Sequence, residues 1–261
     1  MKKFLCIMLS MLLCFCLTLS GCASEPLPEK TKTDVEDDRG IGVWECRFDE
    51  NGQLYLFNET LNRGITSAFE VMENGFLREL NLREYCKALN EQVPEEKTYP
   101  QGNKAAMQSS KIATVEYLYM EKSCEIGTLG AGLVLSADSA AQYGDAQISI
   151  LEGTPVTQFF DGNVYFTAQI KQAIPENVSF PWNTSLTSSV STSTVLTVKQ
   201  GTIGHVEFKP YFDVTKGTLT EFIGTEYGTQ MNTYEVTGKC PQKTSQGFAR
   251  GIYQVVTIGT V

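Results

Sequence analysis

The feature that most constrains this 261-residue chain is the repeated alternation of short extended runs with glycine-containing turns. Trp44 to Phe48 alternates apolar with polar residues, Asn51-Gly52 follows, and Gln53 to Phe57 resumes the extended pattern. The device recurs with Ala68 to Met72, Asn74-Gly75 and Phe76 to Leu80. Asn-Gly between two such runs is the strongest short hairpin signal, because both turn positions must tolerate positive φ. Two consecutive hairpins, a small antiparallel meander, are therefore expected.

Further strands are expected at 112–120, 133–135 and 146–151. From residue 163 the pattern is extended throughout, with candidates at 164–172, 186–198, 205–214, 219–223, 234–236 and 252–258. Gly-Thr dipeptides recur at 127, 153, 201, 217, 224, 228 and 259 without a fixed period, which excludes a solenoid or propeller repeat. Glycine permits a turn and threonine opens the next strand, so each dipeptide reads as a boundary. One helix interrupts this pattern. Asn81 followed by Glu84 has the form of a capping box, and Leu82, Tyr85, Cys86 and Leu89 make one apolar stripe at i, i+3, i+4 and i+7. The expected fold is mainly β with a minor α component: antiparallel sheets, a sandwich-like C-terminal part, and one helix near 82–91.

The start of the chain has a different character. Lys2 and Lys3 precede an uncharged apolar run from Phe4 to Leu17, and Leu19-Ser20-Gly21-Cys22 follows. That order reads as a secretory signal peptide, and the run falls short of the ~18–20 residues that span a bilayer comfortably. The four closing residues resemble the lipobox of bacterial lipoproteins. The resemblance covers residues 1–22 alone. It implies cleavage before Cys22, a diacylglycerol on the Cys22 sulfur, and residence at the extracytoplasmic face of the cell membrane. Two acyl chains suffice for stable anchoring where one does not. Ser24 to Arg39, rich in charge with two prolines, reads as a tether. The organisation expected is thus a signal peptide at 1–21, an acidic tether at 22–40, a mixed α/β section at 41–160 and an all-β section at 161–261.

Losing Lys2 and Lys3 with the leader takes the net charge from −9 to −11. Nucleic acid needs a basic footprint and is excluded as a main partner. The acidity is concentrated before residue 186, and it suits solubility better than a cation site. Asp49, Asn51 and Gln53 lack the glutamate that closes a calcium loop, since Thr60 stands there. Gly127 to Gly132 lacks the Lys-Ser/Thr of a phosphate loop. Cys46, Cys86, Cys124 and Cys240 remain in the body without a Cys-x-x-Cys pair. They argue against structural zinc and allow three disulfide connectivities between which sequence does not choose.

His205 is the one histidine, so any histidine-dependent catalysis would have to use it, and no Gly-x-Ser-x-Gly elbow presents a serine. A structural role suits it better, and no catalytic residue, metal site or cofactor is assigned. Phe180-Pro-Trp182-Asn183 places a bulky aromatic in a proline-containing connection, where Trp182 is the candidate ligand-binding residue, although a core plug is the plainer role. The Ser/Thr-rich stretch 185–197 resembles the inserting hairpins of aerolysin-type pore formers, but one face is barely apolar. The leading expectation is a non-enzymatic binding or structural module of the cell envelope, with cell-wall glycan or a surface protein as partner. The alternative is an envelope hydrolase using paired carboxylates, and a pore-forming β protein is the outlier.

Overall fold

One strand of 24 residues, β13 (Thr202–Thr225), organises the fold. The computed structural model describes residues 42–91, 114–150, 153–188 and 195–261, so Cys22 and the expected leader and tether lie outside the described residues. The first half of β13 pairs antiparallel with β15 (Gly251–Thr260) on one side, and with β6 (Leu133–Val134) and β7 (Ser139–Ala140) on the other. The second half exchanges these partners for β14 (Gly228–Pro241) and β5 (Val115–Leu129). Pro210 stands where the partners change, which suits a residue with no N–H to donate to a ladder. On one edge β15 continues through β3 (Arg63–Val71) and β2 (Leu54–Asn58) to β1 (Trp44–Phe48), and β3 also pairs with β4 (Leu77–Glu79). On the other, β14 pairs with β10 (Phe159–Gly162). Strands from both sides of residue 160 therefore share one antiparallel sheet. The described residues are mainly β, in antiparallel sheets, and form no closed barrel among themselves.

Both expected hairpins are present. Gly52 and Gly75 have φ of 74° and 80°, the region that favours glycine. In the first turn Asp49 Oδ1 accepts from Asn51 N at 2.9 Å and Gln53 N at 2.7 Å, so backbone donors occupy its carboxylate. In the second, Asn74 Oδ1 accepts from Phe76 N at 3.2 Å.

The Gly-Thr pairs act less uniformly than expected. Gly201 and Gly228 do sit at turns with positive φ, but Gly217 and Gly224 lie inside β13. The expected break between 214 and 219 is absent. Gly217 serves a close approach: a Cβ there would meet Met120 O at 2.3 Å and the Tyr119 ring at 2.7 Å. The glycine lets a tyrosine lie flat across the strand, and the register against β5 shifts at this point.

The helix near 82–91 is α1 (Leu82–Glu91), capped by Asn81 Oδ1, which accepts from Arg83 N at 2.9 Å. Its buried residues Tyr85, Cys86 and Leu89 pack on Trp44, Leu56, Ile65 and Ile252. A second helix, α2 (Ala168–Ala173), corrects the strand expected at 164–172 and the all-β reading of the section from 161. Thr167 Oγ1 accepts from Ile170 N at 3.3 Å as the cap. Ile170 and Ile174, one helical turn apart, then cover Tyr119, Leu219 and Val236 on the sheet.

The main sheet is buried on both faces where β13 meets β15. Val206, Phe208, Tyr253 and Val255 face one core, which is closed by two small ribbons. These are β9 (Pro155–Thr157) with β11 (Ser185–Thr187), and β8 (Ala146–Gln147) with β12 (Thr197–Val198), giving the sandwich-like layering. The expected long strand at 186–198 is thus represented by two short ones, with 189–194 outside the described residues. Burying the Phe208 and Tyr253 rings, 4.7 Å apart, is worth about 1.5–3 kcal/mol for each large apolar side chain.

Gly217→Ala is expected to destabilise by about 1–3 kcal/mol through overpacking, seen as a lower urea midpoint at unchanged slope. Gly144→Ala, which meets nothing within 4 Å, should change stability by less than ~0.5 kcal/mol.

Candidate functional site

Two polar constellations stand out from the apolar body. The first is buried on the face of β13 opposite Phe208. His205, Glu207 and Lys209 alternate there, each less than a tenth exposed. His205 Nδ1 lies 2.8 Å from Asp138 Oδ1, and Nε2 lies 3.1 Å from Glu207 Oε1. Glu207 also receives Gln254 Nε2 at 2.8 Å and Arg63 Nη2 at 3.3 Å, and Tyr85 OH donates to Gln254 Oε1 at 2.8 Å. With a carboxylate on each ring nitrogen, the imidazole is engaged on both sides. No nitrogen is left to take a proton from a nucleophile, so the triad chemistry considered for His205 has no place here. The hydroxyl of Ser136 beside this strand accepts from Val206 N at 2.9 Å and donates to Ala137 O at 3.1 Å. The cluster is a structural clamp joining β13, β15, β3, α1 and the 136–138 segment.

Burial alone would lower the His205 titration, but hydrogen bonds to Glu207 and Asp138 outweigh it and raise it above the ordinary value of 6.5. Burial would raise Glu207. The His205 hydrogen bond, the Arg63 charge and the Gln254 hydrogen bond outweigh it and hold the carboxylate below 4.5.

The second constellation is a cleft of about 530 Å³, within the range of small-ligand sites. Five separate segments build its wall: Glu73 from the β3–β4 turn, Pro181 and Asn183 from the connection before β11, Asp213 from β13, residues 242–245 after β14, and Arg250 before β15. Asp213 Oδ1 accepts from Gln242 Nε2 at 2.5 Å and from Gly127 N at 3.1 Å. Asn183 Nδ2 donates to Pro241 O at 3.0 Å, and Ser245 N donates to Glu73 Oε2 at 3.1 Å. Arg250 Nε lies 3.4 Å from Glu73 Oε1 but finds no hydrogen-bond partner, although the atom is buried. The Glu73 carboxylate is its ion-pair partner, in a geometry that falls short of a hydrogen bond.

Trp182 sits between two cleft residues. Its indole is half-buried and stacks with Phe160 at 5.5 Å and Phe180 at 6.2 Å, and Nε1 donates to Gln158 Oε1 at 2.7 Å. The ring anchors its segment against the sheet, and so sets the positions of Pro181 and Asn183 at the cleft. Sequence reasoning missed Asp213, Gln242 and Arg250. The signal available was an acid at the centre of the apolar run Tyr211-Phe212-Asp213-Val214. Among the described residues no group of three or more His, Cys, Asp or Glu side chains is placed to hold a metal ion, and no helix is long and apolar enough to cross a membrane.

No protein-family model matches the chain, and no curated protein or solved structure is significantly similar to it.

The clamp carries a pH signature. The His205 contribution to stability is full below about 6.5 and is lost as pH rises through its raised folded value. The Glu207 contribution is full above about 4.5 and is lost as pH falls through its depressed folded value. Urea unfolding between pH 5 and 9 should show stability falling on the alkaline side, and His205→Gln should remove that slope.

Proposed function

We propose that this chain is a lipid-anchored cell-envelope protein that uses the cleft to bind an oxygen-rich ligand, with cell-wall glycan the first class to test. The observation that carries the reading is the cleft itself, about 530 Å³ and lined by amides, hydroxyls and charges of both signs. Hydroxylated ligands present many acceptors and donors in a small volume, which matches the mixed lining of Asn183, Asp213, Thr244 and Ser245. The anchor rests on the Leu19-Ser20-Gly21-Cys22 resemblance. It would hold the cleft at the extracytoplasmic surface, where such glycans are met.

Trp182 contributes to binding by fixing the wall beside it. A surface protein as the partner, or a role that needs no ligand, are the other outcomes. The pore-forming outlier gains no support, because both ends of the Ser/Thr-rich stretch are paired into ribbons over the core.

A second reading keeps one supporting observation. Glu73 and Asp213 both line the cleft, as the paired carboxylates of a glycosidase would. Their oxygens are engaged by Ser245 N and by Gln242 and Gly127 donors, which suits a scaffold better than an acid–base pair.

Arrays of glycans and peptidoglycan fragments probed with the mature chain should show binding. Arg250→Gln is expected to weaken it roughly ten- to a hundredfold, as a hydrogen bond to a charged group is worth ~1.5–3 kcal/mol. Trp182→Ala should weaken it as well. Equal binding by wild type and both variants would end the cleft reading, and release of new reducing ends would favour the hydrolase. For the anchor, radioactive fatty acid should label wild type and leave Cys22→Ala unlabelled; equal label in both would defeat it.

A further inference from the structure

Helix α1 lies along β1 in a register set by three contacts. At one end the Arg83 guanidinium stands 5.7 Å over the Phe48 ring. At the other, Asn90 brackets the Trp44 backbone: Oδ1 accepts from Trp44 N at 2.8 Å, and Nδ2 donates to Trp44 O at 2.8 Å. Trp44, Cys46 and Phe48 alternate onto one face of the strand. Residues 83, 86 and 90 follow one line of the helix. Fixing the pairs 83–48 and 90–44 leaves Cys86 opposite the middle strand residue, Cys46. Cys86 Sγ itself reaches Trp44 O at 3.2 Å, on that same line.

The other two thiols are not so placed. Cys124 on β5 and Cys240 on β14 flank β13 on opposite sides, paired with Thr215 and Asp213 respectively. Two strand spacings put them about 9–10 Å apart, beyond the ~7 Å Cα separation that a disulfide tolerates.

We infer that Cys46 and Cys86 form a thiol pair that closes to a disulfide in an oxidising compartment, stapling α1 to the edge strand β1. The chemistry is thiol–disulfide exchange with a disulfide-bearing donor such as oxidised glutathione. The exposed Cys46, as thiolate, attacks one donor sulfur and expels the first donor thiolate. Buried Cys86 gives up its proton to solvent and attacks the Cys46 sulfur of the mixed disulfide. The S–S bond forms as the second donor thiolate leaves. The protein loses two hydrogens and two electrons in total, and the donor leaves as two thiols. Burial, reinforced by the adjoining Cys46 thiol, pushes the Cys86 titration up to about 11. The closing step therefore speeds up with pH, and the order of attack runs from surface to interior. The staple would close a loop containing β1 to β4, and loop closure of that kind stabilises chiefly by restricting the unfolded chain.

The test uses the full chain, purified reduced, exposed to oxidised glutathione at pH 8, acid-quenched, alkylated and mapped by mass spectrometry without reduction. The expected product is a Cys46–Cys86 cross-linked peptide lighter by two hydrogens, with a higher thermal midpoint than the reduced form. Cys86→Ser should retain glutathione on Cys46 as a lasting mixed disulfide. A persistent glutathione adduct on wild-type Cys46, full alkylation of Cys86 after unfolding, or a cross-link through Cys124 or Cys240 would each overturn the inference. Wild type alone suffices to decide between these outcomes, so a variant that fails to fold does not obscure them, and ligand binding plays no part.

Discussion

The structure depends on β13 being long enough to belong to two neighbourhoods at once. Its residues 202–210 form ladders with β15, β6 and β7, and those beyond Pro210 with β14 and β5. Hydrogen bonding along an antiparallel pair is local, so a strand that outlasts its partners must take up new ones or expose its edge. Here the exchange happens at Pro210, and the first and last thirds of the chain are joined as a result. Every core rests on this arrangement. Phe208 and Val206 face one core, Leu219 and Val214 lie further along the same strand, and the His205–Glu207 clamp occupies the reverse side.

That clamp shows how charge is accommodated inside a β protein. A buried carboxylate is costly unless paired and hydrogen-bonded. Glu207 has an imidazole, a guanidinium and an amide around it, drawn from three elements. Gly132 approaches so closely that a Cβ would meet Glu207 Oε2 at 2.6 Å, so the cage has no room for a further ligand on that side. The cleft differs in kind. Its donors come from turns and connections, Arg250 is ion-paired to Glu73, and it opens where five segments meet.

The hairpins and α1 were legible because their signals are local. Asn51-Gly52, Asn74-Gly75 and the Asn81 cap each determine conformation within a few residues. The unity of β13 was not legible, because Gly217 reads as a breaker when only sequence neighbours are considered. Gly217 is explained by the Tyr119 ring from a strand almost a hundred residues earlier, which no local pattern contains. Helix α2 was hidden by the alternation of Val164, Phe166 and Ala168, although Thr167 was an available cap. The cleft was invisible for the same reason as Gly217: its residues are far apart in the chain. Asn183 came nearest to notice, because it stands next to Trp182 in an aromatic motif, while the cleft wall lay beside the tryptophan.

The pairing of β3 with β15 has a consequence for how the molecule is made. On its β15 side, Glu70 is paired with Ile252 and Ser67 with Val255. A ribosome delivers the amino terminus first, so the opening meander must wait, one flank unmated, until the closing strand has emerged. During that interval an edge strand rich in β-branched and aromatic side chains is open to strangers. Reaching the native state is therefore a race between the arrival of the tail and association with other nascent chains.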